Sequence, residues 1–236
     1  MTAGSRTPIQ LDPGLWIVEG SNVSFYGLPF PTRMTLIRLA DGSLVVHSPI
    51  APDDVDFDAV EALGPIAAII GPNKIHHLFM PAWIERYPDA AVYGTAELVA
   101  KRSDLRFTGA LDDDAPELWA AEIDQCLVRG SKVMEELVLF HRQSQTAIVA
   151  DFVENFDPVA TPWWMRLLAR PAGILAPHGG MPRDWRMTFR DKQALGKSLA
   201  RILAWQPKRL IMSHGLIVEP DAEDFLRRSF KWALKE

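Results

Sequence analysis

Ile66-Ala67-Ala68-Ile69-Ile70-Gly71-Pro72-Asn73-Lys74-Ile75-His76-His77 opens as an unbroken apolar run and closes on two adjacent histidines. A short, continuous apolar run over Ile66–Ile70 is the pattern of a strand buried on both faces. The imidazoles then stand just past its carboxyl end, where loops converge and sites form in α/β sheets. Two further segments end the same way. Ala147-Ile148-Val149-Ala150 stops at Asp151, and Leu210-Ile211-Met212-Ser213 stops at His214. Imidazole nitrogens and a carboxylate are the ligand types that zinc, iron or manganese take. A single strand-end histidine is more often a hydrogen-bonded structural residue; three coincident strand ends weaken that reading.

Outward from this stretch the chain has a rhythm. Before it, Leu15–Val18, Val23–Tyr26, Met34–Leu39 and Leu44–His47 read as strands of a meander, with a turn at Gly20-Ser21-Asn22 and a hairpin at Asp41-Gly42. Asp56–Leu63 reads as a helix closed by Gly64. Around and after the histidines, helices at Pro81–Arg86 and Ala96–Lys101 alternate with strands at Ile66–Ile70 and Ala91–Tyr93, the signature of an α/β layer. A second strand-rich stretch follows at Leu118–Glu122, Gln125–Val128, Leu137–His141 and Thr146–Ala150. The close is a helix over Asp191–Trp205, a buried strand over Arg209–Met212 and a helix over Pro220–Lys235. Leu195, Leu199, Ile202 and Leu203 form one apolar stripe, as do Leu226, Phe230, Ala233 and Leu234. The order β, α/β, β, α/β predicts two mixed sheets packed face to face with helices outside, a four-layer αβ/βα sandwich. No Pro/Gly/Ser linker divides it, so residues 1–236 read as one domain.

Bulk properties bound the function. The 236 residues can bury a substantial core. A net charge of −5 argues against a general nucleic-acid backbone binder. The one cysteine, Cys126, permits no internal disulfide and reads as a small buried hydrophobe in a reducing compartment. Met1–Pro8 lacks the apolar core of a secretion signal, and no segment has the length of a membrane span. The expectation is a cytoplasmic protein.

The pattern resembles the metallo-β-lactamase-fold superfamily over nearly the whole chain. Relatives carry His-x-His-x-Asp-His after a buried strand, a further His, an Asp at a strand end and a late His. Here Pro72 and Lys74 occupy the first two His positions, His76 the Asp position and His77 the last His. Asp151 matches the metal-bridging Asp and His214 the late His, while the intermediate His is missing near Gly130-Ser131; His141 is not a clean replacement. The wording Pro-Asn-Lys-x-His-His-x-Phe, with Trp83 and Tyr87-Pro88, and Phe-His-Arg-x-Ser-x-Thr before Asp151, resembles a branch of that superfamily with no established activity. The resemblance implies one divalent metal, zinc first with iron or manganese next, held by His76, His77, Asp151 and His214. It implies a metal-dependent hydrolase acting on a small-molecule ester, amide or phosphoester. An ion with an open position brings the pKa of its water toward about 7. The alternative is a binding protein on the same fold with a relic, metal-free site. A diiron redox role is weaker, for want of ligands.

Other residues keep two readings each. Lys74 could meet an anionic substrate or Asp151, or point to water. His178, in the glycine-containing loop Pro177-His178-Gly179-Gly180, could reach into the pocket and aid the substrate. His47 could orient a ligand or be a core histidine. Pro162-Trp163-Trp164-Met165-Arg166-Leu167-Leu168 could be a helix packed on the sheet edge, a lid, a homodimer contact or a membrane-surface foot.

Overall fold

The computed structural model describes residues 6–234. Lys235, the end of the expected last helix, and Met1–Ser5 of the polar N-terminus lie outside the described residues. The chain divides into two compact units, one ending at Leu111 and one beginning at Asp112.

The first unit is built on a seven-stranded sheet, β1 (Ile9–Asp12), β2 (Leu15–Phe25), β3 (Leu28–Arg38), β4 (Leu44–His47), β5 (Ile66–Gly71), β6 (Ala91–Thr95) and β7 (Gly109–Leu111), laid side by side in chain order. Pairing is antiparallel from β1 to β4 and parallel from β4 to β7. A short 3-10 turn at Pro52–Asp54 and helices α1 (Phe57–Glu61), α2 (Met80–Arg86) and α3 (Ala96–Lys101) fill the connections. Asp56 and Thr95 start α1 and α3 by accepting from Ala59 N–H and Leu98 N–H. The core lies among Trp16, Met34, Leu36, Val46, Ile69 and Trp83, all buried.

One expectation changes here. Gly20-Ser21-Asn22 is not a turn but a register shift inside the continuous strand β2. Ser21 gives its N–H and hydroxyl to the Asp54 carboxylate, both at 2.6 Å. The hairpin turns instead at Tyr26-Gly27, both with positive φ (49° and 79°), which suits the strand twist.

The second unit holds α4 (Glu117–Ala120), β8 (Ile123–Val128), β9 (Glu136–His141), β10 (Thr146–Ile148), α5 (Trp163–Ala172), α6 (Arg183–Arg186), α7 (Lys192–Ala204), β11 (Arg209–Ile211) and α8 (Ala222–Ser229). Its four-stranded sheet runs β11-β10-β9-β8, parallel between β10 and β11 and antiparallel elsewhere. The apolar stripe Leu195, Leu199, Ile202 and Leu203 of α7 is buried as its spacing predicts. Cys126 is buried, and burial pushes its thiol up to about 11.

Two more expectations are corrected. Leu118–Glu122 holds a helical turn, not a strand, begun after Pro116 and pinned by Trp119 Nε1–H donating to Gln125 Oε1 at 3.1 Å. The last helix stops at Ser229, where Phe230 leaves it and stacks on Phe152 with ring centroids 4.5 Å apart. No helix among the described residues is long and apolar enough to cross a membrane.

Candidate metal centre

In the first unit, β5 delivers Gly71 to a tight loop shaped by Asn73. The buried Asn73 Oδ1 accepts from Ile75 N–H at 2.9 Å and His76 N–H at 3.1 Å. His76 Nδ1 lies 2.6 Å from Ser48 Oγ. Ser48 follows β4 with φ 55°, a left-handed conformation uncommon for serine, and its N–H donates to Ile70 carbonyl at 3.0 Å. That contact occupies one ring nitrogen and fixes the orientation of the imidazole. Beside it, His47 is fully buried with Nε2 unpartnered. Burial first, and His76 second, draw its pKa down to about 3.

His77 faces another way. Its Nδ1 lies 2.8 Å from the Arg102 guanidinium. Arginine can only donate, so a neutral His77 carries its own proton on Nε2 and has no lone pair left for an ion in that arrangement. Burial, then Lys101 and Arg102, hold its pKa below the usual value. The Lys74 ammonium is 3.7 Å from Glu97, and its carbonyl accepts from Lys101.

In the second unit the strand-end pair meets directly. His214 Nε2 and Asp151 Oδ1 are 3.1 Å apart, both residues buried. Asp151 owes its place to Glu136 at the start of β9. The Glu136 carboxylate accepts from Ala150, Asp151 and Phe152 N–H at 2.9, 2.8 and 2.9 Å. Those bonds replace the sheet ladder, which is why β10 stops at Ile148 instead of running to Ala150. On the other side, Asn155 N–H donates to His214 carbonyl at 3.2 Å. Gly215, at φ 105°, follows His214 so closely against Asn155 that a Cβ would sit 2.2 Å from its carbonyl oxygen. Glu154 is buried with Oε2 unpartnered, and burial above all raises its pKa to about 8, so it holds a proton at neutral pH.

His178 is exposed, with its N–H on Leu175 carbonyl. His141 is buried on Ser144 Oγ at 2.8 Å, opposite Thr146 and so at the far end of β10 from Asp151. Reading the sequence missed Glu136, Glu154, Ser48 and Gly215. Glu136 had a signal, as the carboxylate opening an otherwise apolar strand; Glu154 and Ser48 had none.

Asp151 Oδ1 and His214 Nε2 fit a metal. Ligand bonds of roughly 2.0–2.1 Å in tetrahedral geometry place two donor atoms about 3.3 Å apart.

Solved structures place this architecture in a known class. The metallo-β-lactamase DIM-1 superposes with a TM-score of 0.67 at 10% identity, covering 97% of this chain and 98% of its own. The metallo-β-lactamase from Pontibacter korlensis gives 0.63 at 12%, over 94% and 96%. Rubredoxin oxygen:oxidoreductase from the anaerobe Desulfovibrio gigas gives 0.67 at 10%, over 96% of this chain and 61% of that one. The protein therefore has the metallo-β-lactamase fold, two mixed sheets with helices. Within that class it belongs to the family described as "Domain of unknown function (DUF4336)", whose model matches residues 14–172. No curated protein sequence matches the chain.

Proposed function

We propose that the chain acts as one metallo-β-lactamase-like domain, a metal-dependent hydrolase that holds a single divalent cation, zinc first, through Asp151 and His214, with His76 as the further ligand that the resemblance implies. The 3.1 Å approach of Asp151 Oδ1 to His214 Nε2 carries this reading. A divalent ion there supplies Lewis acidity and lowers the pKa of a water molecule. The chain's own residues do the rest. Ser48 fixes the His76 ring and Glu136 fixes Asp151. In the metal-free protein, burial favours the protonated form of Glu154. The substrate class is a small ester, amide or phosphoester. His77 joins as a fourth ligand only if its ring turns away from Arg102. Lys74, beside Glu97, and the exposed His178 are left with substrate contacts at most.

The same 3.1 Å contact supports a second reading, a metal-free binding protein, because a hydrogen bond satisfies both side chains without an ion. Elemental analysis of protein purified without added metal separates the two. The first reading expects close to one equivalent in wild type and His77→Ala, and loss in His76→Ala, Asp151→Asn and His214→Ala, each still folded. Folded wild type that neither carries metal nor takes up zinc on titration leaves the second. A panel of ester, lactone and phosphodiester substrates, assayed with and without chelator, then addresses the reaction.

A further inference from the structure

Helix α5 is seated on the second unit by Met165 and Ala169 alone, one turn apart and buried. At about 100° per residue, Trp163, Leu167, Trp164 and Leu168 fan over an arc of about 140° on the side away from that seat. They are exposed by 68, 67, 39 and 53%. The helix packs through Met165 and Ala169, while Trp163, Leu167 and Leu168 turn more than half of their surface outward and Trp164 more than a third. Large apolar side chains gathered on one outward helix face mark an interaction surface.

Charge chooses the occupant. Arg166 and Arg170 line one border of the apolar arc, exposed and without a carboxylate partner among the described residues. From Pro162 to Arg190 there are five arginines, Arg166, Arg170, Arg183, Arg186 and Arg190, against one carboxylate, Asp184, in a chain whose net charge is −5. Arg186 lies over the Trp232 ring at 4.4 Å. A second copy would bring the same positive border against itself. An anionic bilayer surface matches both parts: Trp and Leu enter the headgroup–acyl boundary, and the arginines reach lipid phosphates.

We infer that α5 is a membrane-surface foot that docks this protein on bilayers rich in anionic lipid, with the helix lying in the interface and the chain not crossing it. The inference is independent of the metal site.

Co-sedimentation with vesicles tests it, using phosphatidylcholine alone and phosphatidylcholine with about one-third phosphatidylglycerol. Wild type is expected to pellet with the anionic vesicles, weakly or not at all with the neutral ones, and to lose binding as salt rises. Tryptophan emission should shift to the blue on binding. Trp163→Ala with Leu167→Ala should weaken partitioning at least about tenfold, since exposed apolar area is what enters the interface. Arg166→Glu with Arg170→Glu should remove the preference for anionic lipid. All four side chains are exposed, and unchanged circular dichroism and melting temperature verify folding. Wild type left in the supernatant with anionic vesicles overturns the inference. So does undiminished binding by both double variants. Light scattering showing a dimer that Leu167→Glu splits, without vesicle binding, assigns the face to a second copy instead.

Discussion

His47 and Glu154 are fully buried, and burial moves each toward its neutral form, His47 down to about 3 and Glu154 up to about 8. Their ordinary values are 6.5 and 4.5. Between 6.5 and 3 only the unfolded chain protonates His47, so its contribution to stability is lost as the pH falls through that window. Between 4.5 and 8 only the folded chain keeps the Glu154 proton, so that contribution is lost as the pH rises. Each slope is about 1.4 kcal/mol per pH unit, and the two oppose each other between 4.5 and 6.5. In metal-free protein these two contributions should thus offset each other over that interval, leaving the His47 slope below it and the Glu154 slope above it. Urea midpoints against pH check this: His47→Gln should flatten the acid limb and Glu154→Gln the alkaline limb. Profiles unchanged by either substitution would contradict the assignments.

Strand ends are where the elements do chemical work. Glu136, on β9, spends its carboxylate on three N–H groups beyond β10, the middle one belonging to Asp151. In Glu136→Gln one carboxylate oxygen becomes an NH₂ that cannot accept, leaving at least one buried N–H unpaired. The expected loss is about 1–3 kcal/mol by thermal or urea unfolding, with zinc affinity weakened about tenfold by calorimetric titration. Stability and affinity both at wild-type level would show that Asp151 is held by something else. Apolar runs that stop at Asp151 and His214 were legible in the sequence because a buried parallel strand leaves little room for alternatives. The bulge at Gly20-Ser21 was not, since its cause is Asp54, 33 residues away. The contact of His77 with Arg102 was illegible for the same reason, since Arg102 is 25 residues along. At Leu118–Glu122 the segment is too short to tell a period of two from one of 3.6, and the anchor of Trp119 on Gln125 decides for a helix.

For the whole molecule, a cation that binds only the folded chain stabilises it. At a free concentration about a hundredfold above Kd the gain is about 2.7 kcal/mol, or roughly 5–10 °C of melting temperature for a chain this long. Chelator should lower the melting temperature of metal-loaded protein by that much, reversibly with zinc. His76→Ala should lose the zinc increment and His77→Ala should keep it. An equal increment in His76→Ala would mean that the ion is held without residue 76.

The sheets also govern how copies of this chain can meet. Three of the four outermost strands, β1, β7 and β11, are only four, three and three residues long, and Val218 already exchanges backbone hydrogen bonds with Leu210 along the outer side of β11. The longer border, β8, has its Leu127 N–H taken by Asp113 at 3.0 Å, with Arg129 and Arg201 clamped on the same carboxylate. Short borders, a β11 rim already paired with Val218 and a β8 rim carrying clamped charges are features that discourage edge-to-edge templating between molecules, the usual start of fibrous aggregation in β-rich proteins.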